Sequence, residues 1–224
     1  RPNGVFEKNA EFIDIADEIG LLGAIDEQIL HKSLAAFVRW REAGHDIPRL
    51  SLNFSMRELT RLEFVTGLTS TVFKFGLRSD DISIEILESV FFDSNNQAIV
   101  DNINALSKAG FTIELDDFGT GHAAVTSLLD LAVDRIKLDQ TLIRDIENGG
   151  AGQTITRTLI RLASELEIET LAEGVETEKQ VQTLRSMGCT EHQGYYYARP
   201  MSETAFFEWL EHQDQPHASP TGVI

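Results

Sequence analysis

The chain has a single cysteine, Cys189, among its 224 residues, so no disulfide can form within it. This scarcity excludes a disulfide-stabilised secreted scaffold and is typical of a reducing compartment. The six histidines lack the spacing of zinc ligands, which argues against a zinc site. No apolar run approaches the length of a membrane helix, and no secretory signal is visible. We therefore expect a cytoplasmic domain, and a membrane anchor elsewhere in the parent protein stays open.

Positive charge is also scarce, because 19 Lys and Arg against 36 Asp and Glu give a formal net charge of −17. Such a chain repels a polyphosphate, which argues against DNA or RNA polymers as partners. Neither a P-loop nor a G-x-G-x-x-G motif follows a predicted strand, so the usual glycine-rich nucleotide loops are not indicated. A small anion can still bind an acidic pocket if divalent cations convert it locally into an anion site.

Apolar residues make up 42% of the chain, which is enough for a core, and they alternate with polar residues in six predicted strands. The strands are 49–55, 82–88, 111–117, 134–139, 169–175 and 193–198. Segments of helical periodicity are 56–75, 95–109, 121–131, 151–166, 177–187 and 202–211. Alternation of strand and helix at intervals of about 25–30 residues predicts an α/β fold, a TIM-like (β/α)8 barrel with a parallel sheet.

Two adjacent carboxylates, Asp116 and Asp117, close the third predicted strand and open onto the turn Phe118-Gly119-Thr120-Gly121. A strand holds such side chains in a fixed direction, and the glycines let the backbone approach a ligand closely. Hard oxygen ligands placed side by side suit Mg²⁺ or Mn²⁺. The alternative is an ordinary turn in which an aspartate caps the following helix.

Polar residues recur where the other predicted strands end, and in a barrel these carboxyl ends meet at one pocket. Taken singly, each has an ordinary explanation, such as a hydrogen-bonded asparagine or a lysine that reaches solvent. Their recurrence favours a site in which one lysine orients or deprotonates a metal-bound water. An unrelated barrel metalloenzyme that enolises acid sugars stays a second interpretation. The residues are Asn53, Glu85 with Glu88, Asp116 with Asp117, Lys137 with Asp139, Glu173 with Glu176, and Gln193.

Six ordered motifs between residues 51 and 201 give the chain a specific likeness to one family. They are Ser51–Ser55, Ile84–Ser89, Asp116–Gly121, Ile136–Asp139, Ala172–Thr177, and Gly188 through Gln193–Tyr195 to Met201. With these motifs the chain resembles the bacterial EAL domain, a TIM-like barrel that hydrolyses cyclic di-GMP. The resemblance implies a metal-dependent phosphodiesterase that opens cyclic di-GMP to linear 5′-pGpG, with two divalent cations, Mg²⁺ or Mn²⁺, as cofactors.

The resemblance also implies a role for each matching residue. The expected cation ligands are Asn53, Glu85, Asp116, Asp117 and Glu173. The expected catalytic residues are Lys137, Glu173 and Asp116. Among these, Lys137 is expected to hold the attacking water, with Gln193 at the same site. Glu176 is expected at the substrate edge of the pocket, and Glu88 behind the cation ligands, where it steadies the loop after Asp117.

The motif that names the family, a Glu-Ala-Leu followed closely by an Arg, is absent from the chain. The segment Arg1–Gly4 resembles the stretch that follows this motif, so we expect a domain that lacks the first barrel strands. We expect the incomplete barrel domain at 1–212 and a tail or linker at 213–224. Because the motif supplies a further metal ligand and a phosphate contact in the family, the alternative is a catalytically inactive domain that senses cyclic di-GMP and controls a partner.

The resemblance further implies a homodimer and fusion to sensor or GGDEF domains. EAL domains resemble one another in pairing through the helix after the acidic loop, which is the predicted helix 121–131 here. Apolar residues at 123, 124, 125, 128, 129, 131 and 132 exceed the single stripe that an amphipathic helix needs. The surplus favours a symmetric interface, and a helix buried within the barrel is the alternative.

We predict that Ala124→Glu dissociates the dimer and lowers activity, because it places a charge in an apolar interface. Sedimentation of the full-length protein at micromolar concentration, with and without nucleotide, measures the assembly. A wild type that stays monomeric under both conditions would contradict the predicted homodimer.

Overall fold

The computed structural model describes residues 20–88, 97–119, 128 and 131–213. Contacts within the chain divide it into two compact units, 1–46 and 47–224. In the first unit, helix α1 spans Leu22–Glu42, and its buried residues include Leu34 and Phe37. No helix in these described ranges combines the length and the apolar character that crossing a membrane requires.

The second unit contains a six-stranded parallel sheet whose strand order follows the chain. Its strands are β1 Leu50–Asn53, β2 Ile82–Leu87, β3 Thr112–Phe118, β4 Arg135–Leu138, β5 Glu169–Ala172 and β6 Glu191–His192. The helices are α2 Met56–Leu59, α3 Phe64–Lys74, α4 Gln97–Lys108, α5 Gln140–Ile143, α6 Gly150–Glu165, α7 Glu178–Met187 and α8 Glu203–Gln213. Parallel strands in sequential order with helices between them confirm the predicted α/β, TIM-like fold class.

The central strands are buried on both faces, and the two faces differ in chemistry. Apolar residues such as Leu115 of β3 and Ile136 of β4 share one buried cluster with Ile160 of α6 and Leu184 of α7. The residues that alternate with them point to the opposite face and are polar. On β2 to β4 these buried polar residues are Ser83, Glu85, Glu114, Arg135 and Lys137. The sheet therefore packs its apolar face against the helices and keeps a polar face on the inside.

Two predicted elements differ from the structure. The predicted helix 56–75 is split into α2 and α3, and the side-chain amide of Asn102 donates to the carbonyl oxygens of Leu59 and Arg61 at the break. The predicted strand 193–198 is wrong, because β6 ends at His192. Beyond it the backbone curls, and the amides of Tyr197 and Ala198 both bond to the Gly194 carbonyl. Apart from Leu128 and Leu131, the predicted helix 121–131 lies outside the described residues, as does 214–224 of the predicted tail.

One arginine connects four strands at the amino-terminal end of the polar face. Arg135, the first residue of β4, donates to Glu114 of β3 at 3.0 Å and to Glu169 of β5 at 2.6 Å. Its guanidinium also lies 2.9 Å from the carboxylate of Glu191 on β6. The side chains of Arg135 and Glu114 are 8% and 2% exposed, so solvent screens this pair weakly.

We predict that Arg135→Ala lowers the free energy of unfolding by about 3–5 kcal/mol, because Glu114 would stay buried without its partner. Urea denaturation followed by circular dichroism measures the change. The control is Arg161→Ala, which removes the ion pair between an 80% exposed Arg161 and a 61% exposed Glu165 and should cost below about 1 kcal/mol. Equal losses in the two variants would show that the buried network contributes no special stability.

Candidate active site

The site is centred on Lys137, a β4 residue whose side chain is 4% exposed. Its ammonium nitrogen lies 2.8 Å from Glu173, 2.9 Å from Asp116 and 3.0 Å from Glu85. Glu85 is on β2, and β2 is separated from β4 by two strand spacings of about 4.8 Å each. Contact across that distance requires side chains that converge on the concave face of a curled sheet. The structure thus brings together four residues that the sequence placed at four different strand ends.

Burial and charge oppose each other within this cluster. Burial would lower the pKa of Lys137, but Glu85, Glu173 and Asp116 outweigh it and raise the pKa, so the ammonium stays charged. Burial raises the pKa of Glu85 and of Glu173, and Lys137 offsets part of each increase. One ammonium group therefore faces an excess of carboxylates in a weakly solvated pocket, and this surplus of negative charge favours the binding of further cations.

A bulge in β3 places two consecutive aspartates on the same side of the sheet. Adjacent strand residues normally face opposite sides, so Asp116 and Asp117 could not both reach the pocket from a regular strand. The β3–β4 register runs from Leu115↔Ile136 to Phe118↔Leu138, which leaves one extra residue on β3. Asp117 has a φ of 56°, in the left-handed region, where aspartate is among the better tolerated residues.

The bulge completes a set of oxygen donors. One carboxylate oxygen each from Asp116, Asp117 and Glu173 lies within 4.8 Å of the other two. Hard oxygen donors at this spacing, with surplus negative charge, fit Mg²⁺ or Mn²⁺. The predicted ligands Asp116, Asp117 and Glu173 are therefore close enough to share a cation.

Asn53 and Glu88 support the cluster from the ends of β1 and β2. The Asn53 amide donates to Glu85 at 2.8 Å and so restrains that carboxylate. Glu88 is 4% exposed and accepts a hydrogen bond from the backbone amide of Gly119 at 3.1 Å. This contact restrains the turn that follows Asp117, and the role of Glu88 behind cation ligands stays a prediction. Cation ligation by Asn53 stays a prediction.

The remaining predicted residues, Glu176 and Gln193, lie on the loops after β5 and β6, and both are exposed. The backbone amide of Gln193 donates to the backbone carbonyl of Ala172 at 2.8 Å, and the backbone carbonyl of Gln193 accepts from the Val175 backbone amide at 3.0 Å. These backbone bonds place Gln193 beside the loop that carries Glu173 and Glu176. Their roles toward a substrate stay predictions.

Asp139 is a neighbour of the site to which the sequence reasoning assigned no role. Burial raises the pKa of Asp117. The negative charge of Asp116 raises it further, and so do the charge of Asp139 and a hydrogen bond between Asp117 and Asp139. Asp139 is buried and caps α5, because its carboxylate accepts hydrogen bonds from the backbone amide and the hydroxyl of Thr141. The Asp-x-Thr spacing signals this cap, but the approach of Asp139 to Asp117 depends on the tertiary fold.

Three glycines let the backbone of one loop lie directly against the side chain or backbone of a neighbouring loop around the site. A Cβ on Gly119 would lie 2.6 Å from Leu142, and one on Gly174 would lie 2.5 Å from the Gln140 Cβ. A Cβ on Gly194 would lie 2.3 Å from the backbone nitrogen and oxygen of Val175. The loops after β3, β4, β5 and β6 are thereby joined in sequence around the rim.

The curled sheet of six parallel strands is of the TIM-barrel type, and the carboxylates and lysine at its carboxyl ends occupy the position where such barrels carry their sites. Three of these carboxylates lie close enough together to hold a cation. Comparison with known proteins identifies the family more closely. The family profile described as the EAL domain matches residues 1–200. The chain belongs to the EAL domain family.

Among curated proteins, the chain is 31% identical over 201 residues to the cyclic di-GMP phosphodiesterase PdeR of Escherichia coli (strain K12). It is 30% identical over 212 residues to the signaling protein YkoW of Bacillus subtilis (strain 168). These matches cover 90% and 95% of the chain but only 30% and 26% of the two relatives, so the chain spans under a third of either. Among solved structures, the EAL enzyme Bd1971 with cAMP and cyclic di-GMP bound superposes with a TM-score of 0.83 and 25% identity, over 94% of the chain and 57% of that protein.

We predict that Gly194→Ala destabilises the protein by about 1–3 kcal/mol, because the new methyl group would overlap the Val175 backbone. Thermal and urea unfolding measure the loss. The control is Gly152→Ala in α6, where a Cβ meets nothing within 4 Å. That change should stabilise the helix by about 0.5–1 kcal/mol. A Gly194→Ala variant as stable as the wild type would contradict the close packing of the two loops.

Proposed function

We propose that this chain is a metal-dependent phosphodiesterase domain that hydrolyses cyclic di-GMP to linear 5′-pGpG. Family membership and the name of PdeR support the substrate, and the cyclic di-GMP bound to Bd1971 supports it independently. In this reaction water adds to one phosphorus, one P–O3′ bond breaks, and the released 3′ oxygen takes up a proton.

The observation that carries the proposal is the contact of Lys137 with three carboxylates from three different strand ends. Maintaining one buried ammonium among Glu85, Asp116 and Glu173 costs desolvation of every member. Hydrophobic side chains of similar size would stabilise the sheet interior as well or better. The presence of the full charged set is therefore better explained by chemistry at the site than by folding alone.

The residues that would hold two divalent cations, Mg²⁺ or Mn²⁺, are Asp116, Asp117 and Glu173, together with Glu85 and Asn53. The mutual proximity of the first three carboxylates is the geometric support for this assignment. Bound cations supply Lewis acidity toward the phosphoryl oxygens and lower the pKa of water.

The chain's own groups then orient the reactants. Lys137 is held as an ammonium ion whose three N–H donors face Glu85, Asp116 and Glu173. Once one of these carboxylates ligates a cation instead, the freed donor can hydrogen-bond to an attacking water or to a phosphoryl oxygen. Glu88 holds the turn after Asp117 and thereby keeps that carboxylate beside Asp116. Glu176 and Gln193 lie on adjacent exposed loops, where they can contact the bound dinucleotide.

The proposal extends to the parent protein. A homodimer, with regulation by fused sensor or GGDEF domains, is proposed from the resemblance. The small share of PdeR and YkoW that the chain covers is consistent with such additional domains. A membrane anchor, if the parent protein has one, lies outside the described helices.

We predict that Lys137→Ala lowers kcat by at least about 100-fold while the affinity for cyclic di-GMP changes by less than about tenfold, because the ammonium acts mainly on the reacting groups. Chromatography of nucleotides formed by the full-length protein with Mg²⁺ or Mn²⁺ measures turnover, and calorimetry measures binding. The control is Lys108→Ala at the exposed end of α4, which should leave both unchanged.

The same experiment separates the enzyme from the inactive sensor. A sensor binds cyclic di-GMP and yields no linear product in either the wild type or Lys137→Ala. That result for the wild type, with Mg²⁺ and Mn²⁺ each tested at millimolar concentration, would replace the phosphodiesterase proposal with the binding function. A melting temperature that rises with either metal in the wild type and not in Asp116→Asn would support cation binding separately from turnover.

A further inference from the structure

Gln180 has a buried side-chain amide that hydrogen-bonds to two different chain segments beside the candidate active site. It is the third residue of α7 and is 5% exposed. Its Oε1 accepts from the backbone amides of Glu176 at 2.7 Å and Thr177 at 3.0 Å. Its Nε2 donates to the carbonyl oxygens of Ile143 and Arg144, both at 3.3 Å. A primary amide has two donors and two acceptor lone pairs, so these four bonds use its full capacity.

The two ends of this amide reach segments that follow neighbouring strands. Glu176 and Thr177 end the loop that begins at Glu173, directly after β5. Ile143 and Arg144 close α5, the short helix that follows β4 and Lys137. Gln180 thus joins the segment after Lys137 to the loop that contains Glu173, although its own side chain contacts neither residue in the described bonds.

Helix capping accounts for only one of these four bonds. The Thr177 hydroxyl accepts a hydrogen bond from the backbone amide of Gln180, and the side-chain Oε1 of Gln180 accepts one from the backbone amide of Thr177, which together form a capping box. A glutamate at position 180 would make that box equally well, because it needs only an acceptor. The two bonds donated to Ile143 and Arg144 require the amide nitrogen and lie outside the cap.

Other contacts between the same two segments are more exposed to solvent or lack direction. The Thr177 hydroxyl donates to Glu147, and Lys179 lies 3.4 Å from the same carboxylate. Lys179 is 66% exposed, so solvent screens its ion pair. The close approach of Gly174 to Gln140 limits how near the two segments can come but supplies no directional bond.

We infer that Gln180 is a positioning residue, which fixes the Glu173–Thr177 loop against the segment after β4 so that the Glu173 carboxylate meets Lys137 and Glu176 faces the pocket. This inference rests on the proposed function for its catalytic meaning. Loss of the link should let the loop shift, which weakens cation binding through Glu173 and substrate binding through Glu176.

The decisive variant is Gln180→Glu, because it retains the capping acceptor and replaces the donor with an oxygen that faces two carbonyl oxygens. We expect the Mn²⁺ concentration that gives half of the melting-temperature shift to rise at least about fivefold. The KM for cyclic di-GMP should also rise and kcat/KM should fall by at least about tenfold. Gln182→Met, at an exposed position of the same helix, should change none of these values.

Gln180→Met, which removes all four bonds, serves as the second variant, and circular dichroism reports whether each protein is folded. If Gln180→Glu does not fold, Gln180→Met is judged by the same Mn²⁺ and KM criteria. The inference would be overturned by a folded variant whose Mn²⁺ concentration at half of the melting-temperature shift and whose KM both equal those of the wild type. A lower Vmax alone would not rescue it, because a fraction of unfolded protein lowers Vmax without changing KM. A wild type that binds Mn²⁺ without forming linear product would refute the phosphodiesterase proposal alone, since the Mn²⁺ midpoint still tests the role of Gln180.

Discussion

The contact between one buried ammonium and three carboxylates is the constraint on which the rest of the site depends. Lys137 meets Glu85, Asp116 and Glu173 only because the sheet curls and brings four strand ends to one point. Any flattening of the sheet would separate these groups and leave buried charges uncompensated. The packing of helices on the apolar face therefore helps to hold the charged cluster on the opposite face together.

The polar face carries charge at both of its ends, with different consequences. At the amino-terminal end, Arg135 contacts three carboxylates, those of Glu114, Glu169 and Glu191, and connects four strands. At the carboxyl-terminal end, the carboxylates outnumber the ammonium group, and burial raises the pKa of Glu85 among them. Both ends carry surplus negative charge, but the carboxyl-terminal end also brings carboxylate oxygens within reach of a shared cation.

Several local backbone irregularities lie at the carboxyl-terminal end and shape the site there. The bulge at Asp117 turns a second carboxylate into the site, and Gly174 and Gly194 allow loop contacts that no side chain would permit. Such features cost conformational energy and persist only where surrounding contacts enforce them. Here the enforcing contacts include Glu88 on the turn after Asp117 and Gln180 on the loop after Glu173.

The sequence by itself determined the α/β alternation, five of the six strands and the polar residue at each strand end, because side-chain periodicity and turn residues are local signals. It also misplaced the last strand, since the three tyrosines at 195–197 favour a strand locally, yet hydrogen bonds to Gly194 and Val175 curl that segment. The orientation of Asp117, the approach of Asp139 and the double attachment of Gln180 were decided by the tertiary structure alone. The orientation of Asp117 depends on the register between β3 and β4. The other two features depend on partners at least 22 residues away in the sequence, and the local pattern of residues reveals neither a register nor a distant partner.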